Sequence, residues 1–379
     1  MRDTGRSSSV ALAYLAGNLA ALALVAIVIV FCGYRLGFPV LFNTFRKVIK
    51  PSEDVLYMPE PILKELIDLH AVVDNAGNPT AQLSHYTILV TSDSRLGWKL
   101  IPDTRISLYM LRALNPLNFD PPVLALETNA RMSAGLSKYL DQQARVRYQY
   151  SVRRDGFRTT LPAVNVKEKI LMVGDSVLFG EGVNDDQTMA SRLQVLVGTN
   201  YQVINGGVGG YAGEQAFEMA RRESEREGHA ALVYVACQND FMNRAGVSYL
   251  DQARELLKSF AALKRAFSER VVVLLTPYME YVLDDVLLKD GWWREMVAET
   301  DKLRRGLPTV CAPLDLECRD LTDMFLDYTR QTGSAFARFG LYVDDAHLSP
   351  FGNQRAAEAI YSALRHIGAV GLDESAGIP

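Results

Sequence analysis

The hydrophobic rhythm changes twice along this chain of 379 residues. From Lys169 onward, short apolar runs alternate with stretches whose apolar residues recur at helical spacing. Residues 170–173, 201–204, 231–236, 271–275 and 309–316 read as buried strands. Residues 186–197, 213–227, 250–267 and 350–367 read as helices, and an insertion with Trp292 and Trp293 separates the last two strands. Strands apolar on both faces and spaced by helices predict a parallel sheet covered on both sides, hence an α/β domain over 166–372. Residues 81–165 follow another rule, with short β-like pieces at 86–90, 96–101 and 146–152 and a turn at Asp155-Gly156. They read as a small β-rich accessory region, joined to the N-terminus by a connector over 36–80 with a helical stretch around 61–72.

Residues 10–32 form a third pattern, with 21 apolar residues in 23 and no charge between Arg6 and Arg35. A helix of that length spans about 34 Å, enough to cross a bilayer. Bulky Phe31 before Cys32 argues against signal-peptide or lipoprotein cleavage, so residues 1–35 read as a tail and an uncleaved, single-pass transmembrane anchor.

Composition adds little beyond ordinary globularity, with 49% hydrophobic and 22% charged residues. Charge adds more. The first fifty residues hold six basic side chains against Asp3, so the formal −4 of the whole chain leaves −9 on the remainder. An acidic body excludes a nucleic-acid partner, whereas the basic flank suits anionic lipid headgroups. Two basic residues precede the span and four follow it, a weak bias toward a cytoplasmic body. Of the four cysteines, Cys311 and Cys318 read as unpaired thiols, with pairing open to them in an oxidising compartment. No spacing of Cys and His suggests zinc.

In a parallel sheet, ligands bind beyond the carboxyl ends of the strands, and here those ends are polar. The first ends Gly174-Asp175-Ser176, the second Asn205-Gly206-Gly207-Val208-Gly209-Gly210-Tyr211, and the third Cys237-Gln238-Asn239-Asp240. Asp344-Asp345-Ala346-His347 precedes the last helix. A serine at a sharp strand-to-loop turn exposes its hydroxyl to a base. Of five histidines, His70 and His85 fall in the N-terminal regions, His229 before the third strand and His366 at the end of the last helix. That leaves His347 as the base, with Asp344 to hold its tautomer. The N–H groups of Ser176 and Gly210 and the Asn239 amide form an oxyanion hole, and Asp175 and Asp240 brace the loops.

These four blocks, in this order, resemble the SGNH (GDSL-type) hydrolases over about half the chain. The resemblance implies a three-layer, flavodoxin-like α/β sheet with Ser176 as nucleophile, Asp344 and His347 as its partners, and Gly210 and Asn239 in the oxyanion hole. It implies an esterase cleaving small O-acyl esters through an acyl-enzyme, with no metal or organic cofactor. Leu96-Gly97-Trp98 with Pro102, and Asp155-Gly156-Phe157-Arg158, look like membrane-tethered members near cell-surface polysaccharide pathways, which points to a carbohydrate or envelope ester and an extracytoplasmic body. One departure stands out: the family has glycine two residues before the asparagine, where this chain has Cys237, and a side chain there is expected to crowd the loop.

Rival readings use the same residues. An O-acyltransferase shares the triad, and a non-catalytic, membrane-tethered binding module is favoured by Cys237. Gly207-Val208-Gly209-Gly210-Tyr211-Ala212 fits a dinucleotide fingerprint, but no acidic ribose partner follows at the required offset. Asp175 and Asp240 lack the accompanying ligands of a metal site. Trp292 and Trp293 read as packing for the insertion, and Arg158 as a surface or interdomain salt bridge.

Overall fold

Lys169–Gly174 (β7) is the strand on which the site is built, and it sits next to the edge of a five-stranded parallel sheet. The computed structural model describes residues 61, 64–65, 72–74, 89–111, 123–128, 131–226, 228–241, 246–282, 291–333, 340–343 and 346–371. Apart from the first turn of one helix, these elements belong to a single compact unit, Glu53–Leu283 with Glu295–Pro379. The sheet order is β11-β10-β9-β7-β8, where β8 is Gln202–Gly207, β9 His229–Cys237, β10 Val271–Thr276 and β11 Glu317–Asp320. Strands β8, β9 and β10 are buried at every position, as strands covered on both faces must be.

From β7 the chain passes to β8 on one side and then to β9 on the other. This reversal is a topological switch point, and crevices form outside the carboxyl ends of strands there. Gly174 pairs with Gly207 on β8 and Val235 on β9, so the three strands end nearly level. Ser176, Gly210 and Asn239 follow those ends within three residues.

The fifth strand differs from the sequence expectation. Residues 309–311 close a long helix, Gly291–Cys311, and a 3-10 turn, Ala312–Leu314, precedes β11. Leu303, Leu307, Val310 and Cys311 are all buried, and their spacing is that of one helical face. The strand expected at 309–316 is therefore helix, and the true fifth strand is a half-buried edge. Cys311 and Cys318 are joined in a disulfide with Cα atoms 6.3 Å apart, which corrects the unpaired reading and ties the helix end to the edge strand. Trp292 and Trp293 lie in the helix's first turn.

The accessory region carries a four-stranded antiparallel sheet, order β1-β5-β4-β6, from Val72–Asp74, Val123–Glu127, Arg105–Leu111 and Ala144–Ser151. A separate hairpin joins β2 (Val90–Asp93) to β3 (Gly97–Leu100). Strand β1 falls within the stretch read as connector. At the expected turn, Gly156 has φ +84° and Val152 bridges Arg158, which also bridges Asn205 at the edge of the parallel sheet. Among the described residues no helix is long and apolar enough to cross a membrane. The span expected at 10–32 lies outside the described residues, as do His70, His85 and Asp344.

Candidate active site

The turn after β7 is held by its own polar groups. Ser176 opens a four-residue helix, Ser176–Phe179, and Asp175 caps it by accepting the Val177 N–H at 2.9 Å. The Ser176 carbonyl then accepts the N–H groups of Gly180 (3.0 Å) and Glu181 (3.2 Å), closing a tight turn around the serine. Ser176 is half-buried, between a sealed turn and solvent.

Arg158 supports this turn from the accessory side. Its Nη1 donates to the carbonyls of Phe179 (2.6 Å) and Gly180 (2.8 Å), and its Nη2 to that of Val183 (2.8 Å). The guanidinium lies 4.4 Å from the Tyr150 ring centroid and 4.3 Å from that of Phe179, and its Nε is 3.4 Å from Asp185 Oδ1. Arg158 is fully buried, so of the two readings, a surface or an interdomain salt bridge, the interdomain one holds through Asp185, and the surface one gives way to a buried brace. Burial pulls its pKa down and that of Asp185 up, and each is countered by the charge of the other. Tyr150 adds a bond, its hydroxyl accepting the Gly182 N–H at 2.7 Å.

Behind Ser176, Asp175 gathers the third strand end. Its Oδ2 accepts the Asn239 amide at 3.0 Å and the Cys237 thiol at 2.9 Å. The same sulfur is 2.5 Å from Asn239 Oδ1, so one S–H proton faces two acceptors. A carboxylate accepts only, which fixes the Asn239 amide with nitrogen toward Asp175 and oxygen toward the thiol. Among the described residues, its second N–H has no acceptor. Cys237 thus enters the hydrogen-bond network instead of merely crowding the loop. Its backbone N–H donates to Asp240 Oδ2 at 3.0 Å. Burial, then the charges of Asp175 and Asp240, push the thiol pKa well up, and it stays protonated at neutral pH. Burial and Asp175 also raise Asp240 well above the usual carboxylate range. Tyr278, beyond β10, packs against this group, and its phenol is raised first by burial and then by the thiol and carboxyl charges.

Gly210 is exposed, at φ +76°, in the loop after β8. Among the described residues, neither its N–H nor that of Ser176 is donated within the protein. His347 sits on the loop before the last helix, Pro350–His366, with its Nε2 3.4 Å from Glu181 Oε2. Since the Glu181 N–H binds the Ser176 carbonyl, this brings the imidazole to the turn that carries Ser176. Gly182 permits the approach: a Cβ there would lie 2.6 Å from Val343 Cγ2. Asp344, the expected orienting acid, lies outside the described residues. His229 is buried at the opposite end of the sheet, its Nε2 2.7 Å from the Glu223 carbonyl.

Sequence reasoning missed Glu181, Tyr278 and the role of Trp98. Glu181 carried a signal, a carboxylate between two glycines in the block that holds the serine. Among the described residues, no group of three or more His, Cys, Asp or Glu is placed to hold a metal.

No protein-family model and no curated protein matches the chain. Solved structures to which it is similar include an acetyl xylan esterase, AlAXEase, with 17% identity and a TM-score of 0.42 over 52% of this chain and 99% of that one. A lipase/acylhydrolase from Enterococcus faecalis has 20% identity and a TM-score of 0.40 over 55% and 100%. A lipolytic G-D-S-L family member from Veillonella parvula has 14% identity and a TM-score of 0.36 over 53% and 97%. The neighbours are esterases and lipolytic hydrolases matched over about half the chain, and scores this low carry no weight for the chemistry.

Proposed function

We propose that this chain is a serine esterase of the SGNH type that cleaves small O-acyl esters, on a carbohydrate or another envelope component. The observation that carries this reading is the placement of Ser176, Gly210 and Asn239 beyond the carboxyl ends of three adjacent strands. Two of them hold backbone N–H groups with no acceptor among the described residues, and the third a fixed amide. Ser176 Oγ attacks the acyl carbon as His347 takes its proton, and the negative charge falls on the carbonyl oxygen between the three donors. His347 returns the proton to the departing alcohol, leaving an acyl-enzyme. Water then attacks with His347 again as base, and the carboxylic acid is released. Asp344 is assigned the orientation of the imidazole.

We place the body outside the cytoplasm, tethered by residues 10–32. The Cys311–Cys318 disulfide supports an oxidising compartment. The test is labelling by a fluorophosphonate together with turnover of p-nitrophenyl acetate. Wild-type protein is expected to label and turn over. Ser176→Ala is expected to do neither, and His347→Ala to lose nearly as much, because members of a triad act as a unit. Wild-type protein that neither labels nor turns over any short-chain ester sinks the reading. Product analysis with and without a glycan acceptor separates hydrolysis from transfer to a sugar hydroxyl.

A further inference from the structure

The loop after β8 has a mechanical problem. Residues 208–210 carry only the Val208 side chain and close one turn bond of their own, from the Tyr211 N–H to the Val208 carbonyl at 3.2 Å, so the segment has little else to hold Gly210 in one conformation. Yet an oxyanion donor works only if it is already aimed before charge develops. The accessory hairpin supplies what the loop lacks. Along β3 the burial alternates, Leu96 and Leu100 inward with exposed Gly97 and Lys99 between, and Trp98 shares the inward face. Leu96 and Leu100 are each 2% exposed and anchor the hairpin in the core.

Trp98 then grips the loop on both sides of Gly210. Its Nε1–H donates to the Gly209 carbonyl at 3.1 Å, and its own carbonyl accepts the Tyr211 hydroxyl at 2.7 Å. Between these two bonds the indole stands against Gly210, where an added Cβ would lie 3.4 Å from Trp98 Cζ2. The rings of Trp98 and Tyr211 meet edge to face with centroids 5.9 Å apart. Further along, Gln215 Nε2 donates to the Leu96 carbonyl at 2.6 Å, while its Oε1 accepts the Ala212 N–H at 2.9 Å. At the far end of the hairpin Asp93 pairs with Arg222 at 2.6 Å, on the helix that follows the loop.

We propose that Trp98 is a positioning residue for the oxyanion hole, and that the accessory hairpin clamps the Gly210 N–H toward the reacting carbonyl. This rests on the esterase reading above. Trp98 also packs against the core, half-buried beside the sealed leucines, so its positioning role is separated from packing by the kinetic and exchange measurements below.

The experiment compares wild type, Trp98→Phe and Trp98→Ala in two ways. In ester turnover, Trp98→Phe keeps a ring at Gly210 but loses the indole N–H, and kcat is expected to fall about tenfold with KM within about twofold. Trp98→Ala is expected to fall about a hundredfold, as a 1 Å misplacement costs in other sites. In amide hydrogen exchange, which needs no turnover, Trp98→Ala is expected to speed exchange across 207–212 about tenfold and leave 231–236 unchanged. Two folded variants with wild-type kcat, or with effects only in KM, overturn the proposal while the esterase reading stands. Unchanged exchange at 207–212 overturns the clamp whatever the kinetics. Absence of Ser176-dependent turnover in wild type is a different outcome, and it overturns the esterase reading and the catalytic role of Trp98 together.

Discussion

Arg158 and Asp240 are both sealed from solvent beside the elements that carry the proposed site, at 0% and 3% exposure, and their charges are handled in opposite ways. Around Arg158 everything complements a cation: three carbonyls, two ring faces and the Asp185 carboxylate. Around Asp240 the charge that acts on it most is that of another acid, Asp175, and among the described residues neither makes an ion pair. A buried charge with an opposite partner and hydrogen bonds from most of its donors keeps its charge. Two buried acids without a cation cannot both ionise at low cost, so one holds its proton. Burial and the charge of Asp175 raise Asp240 well above the usual carboxylate range, which keeps the proton on Asp240, while Asp175 accepts the Val177 N–H, the Asn239 amide and the Cys237 thiol. The contrast separates tasks. The compensated cluster is a structural brace under the Ser176 turn, whereas the acidic pair sits behind the Asn239 amide of the proposed oxyanion hole.

The largest expected effect in this comparison is on stability at the brace. Arg158→Ala strands the carbonyls of Phe179, Gly180 and Val183 and leaves Asp185 without its partner. The cost of breaking such a buried cluster is about 3–5 kcal/mol. Urea unfolding monitored by tryptophan fluorescence reads it directly. A loss below about 1 kcal/mol means that water replaces the guanidinium and that the cluster is no brace.

The polar half of the site was readable because parallel strands buried on both faces are uniformly apolar. The first polar residues after the apolar runs, Asp175, Asn205 and Gln238, therefore fell within two residues of the strand ends and marked the chemistry at once. The same logic failed at residues 309–316. A short apolar run does not distinguish strand from buried helix, and the helical stripe appears only when Leu303 and Leu307 are counted with Val310 and Cys311. The burial of Arg158 was missed for another reason. Its residue type argues for the surface, and the carbonyls that hold it lie 21 to 25 residues away, brought together only by the fold. Trp98 meets Gly209 across 111 residues, a distance over which no local pattern speaks. The Cys311–Cys318 bond likewise depends on the Cα separation, which sequence does not contain.

A second prediction tests whether the acidic side serves catalysis. Asn239→Ala removes the amide that Asp175 holds, and kcat is expected to drop by about 10²–10³, or about 3–4 kcal/mol, with KM within about threefold. Removing one donor from Asp175 costs about 1 kcal/mol of stability besides. Steady-state kinetics on folded Asn239→Ala protein decides the matter. If kcat holds and only stability falls, Asn239 is a structural partner of Asp175 and the oxyanion assignment loses its side-chain member.

The smallest expected effect is the most direct probe of the acidic pair. Because the folded pKa of Asp240 lies above its unfolded value, the folded state binds the proton more tightly. Stability from this group is fully present below the unfolded value, near pH 4, and is lost as pH rises through the folded value. Asp240→Asn keeps the shape and an oxygen for the Cys237 N–H but cannot ionise. Its stability relative to wild type is therefore expected to climb with pH from about 4 upward, by about 1.4 kcal/mol for each unit separating the two pKa values. Thermal or urea midpoints of both proteins between pH 4 and 9 give the two curves. Curves that run parallel across that window mean that Asp240 ionises in the fold as freely as in the unfolded chain. The uncompensated pair would then have a counter-charge, and the contrast with Arg158 would disappear.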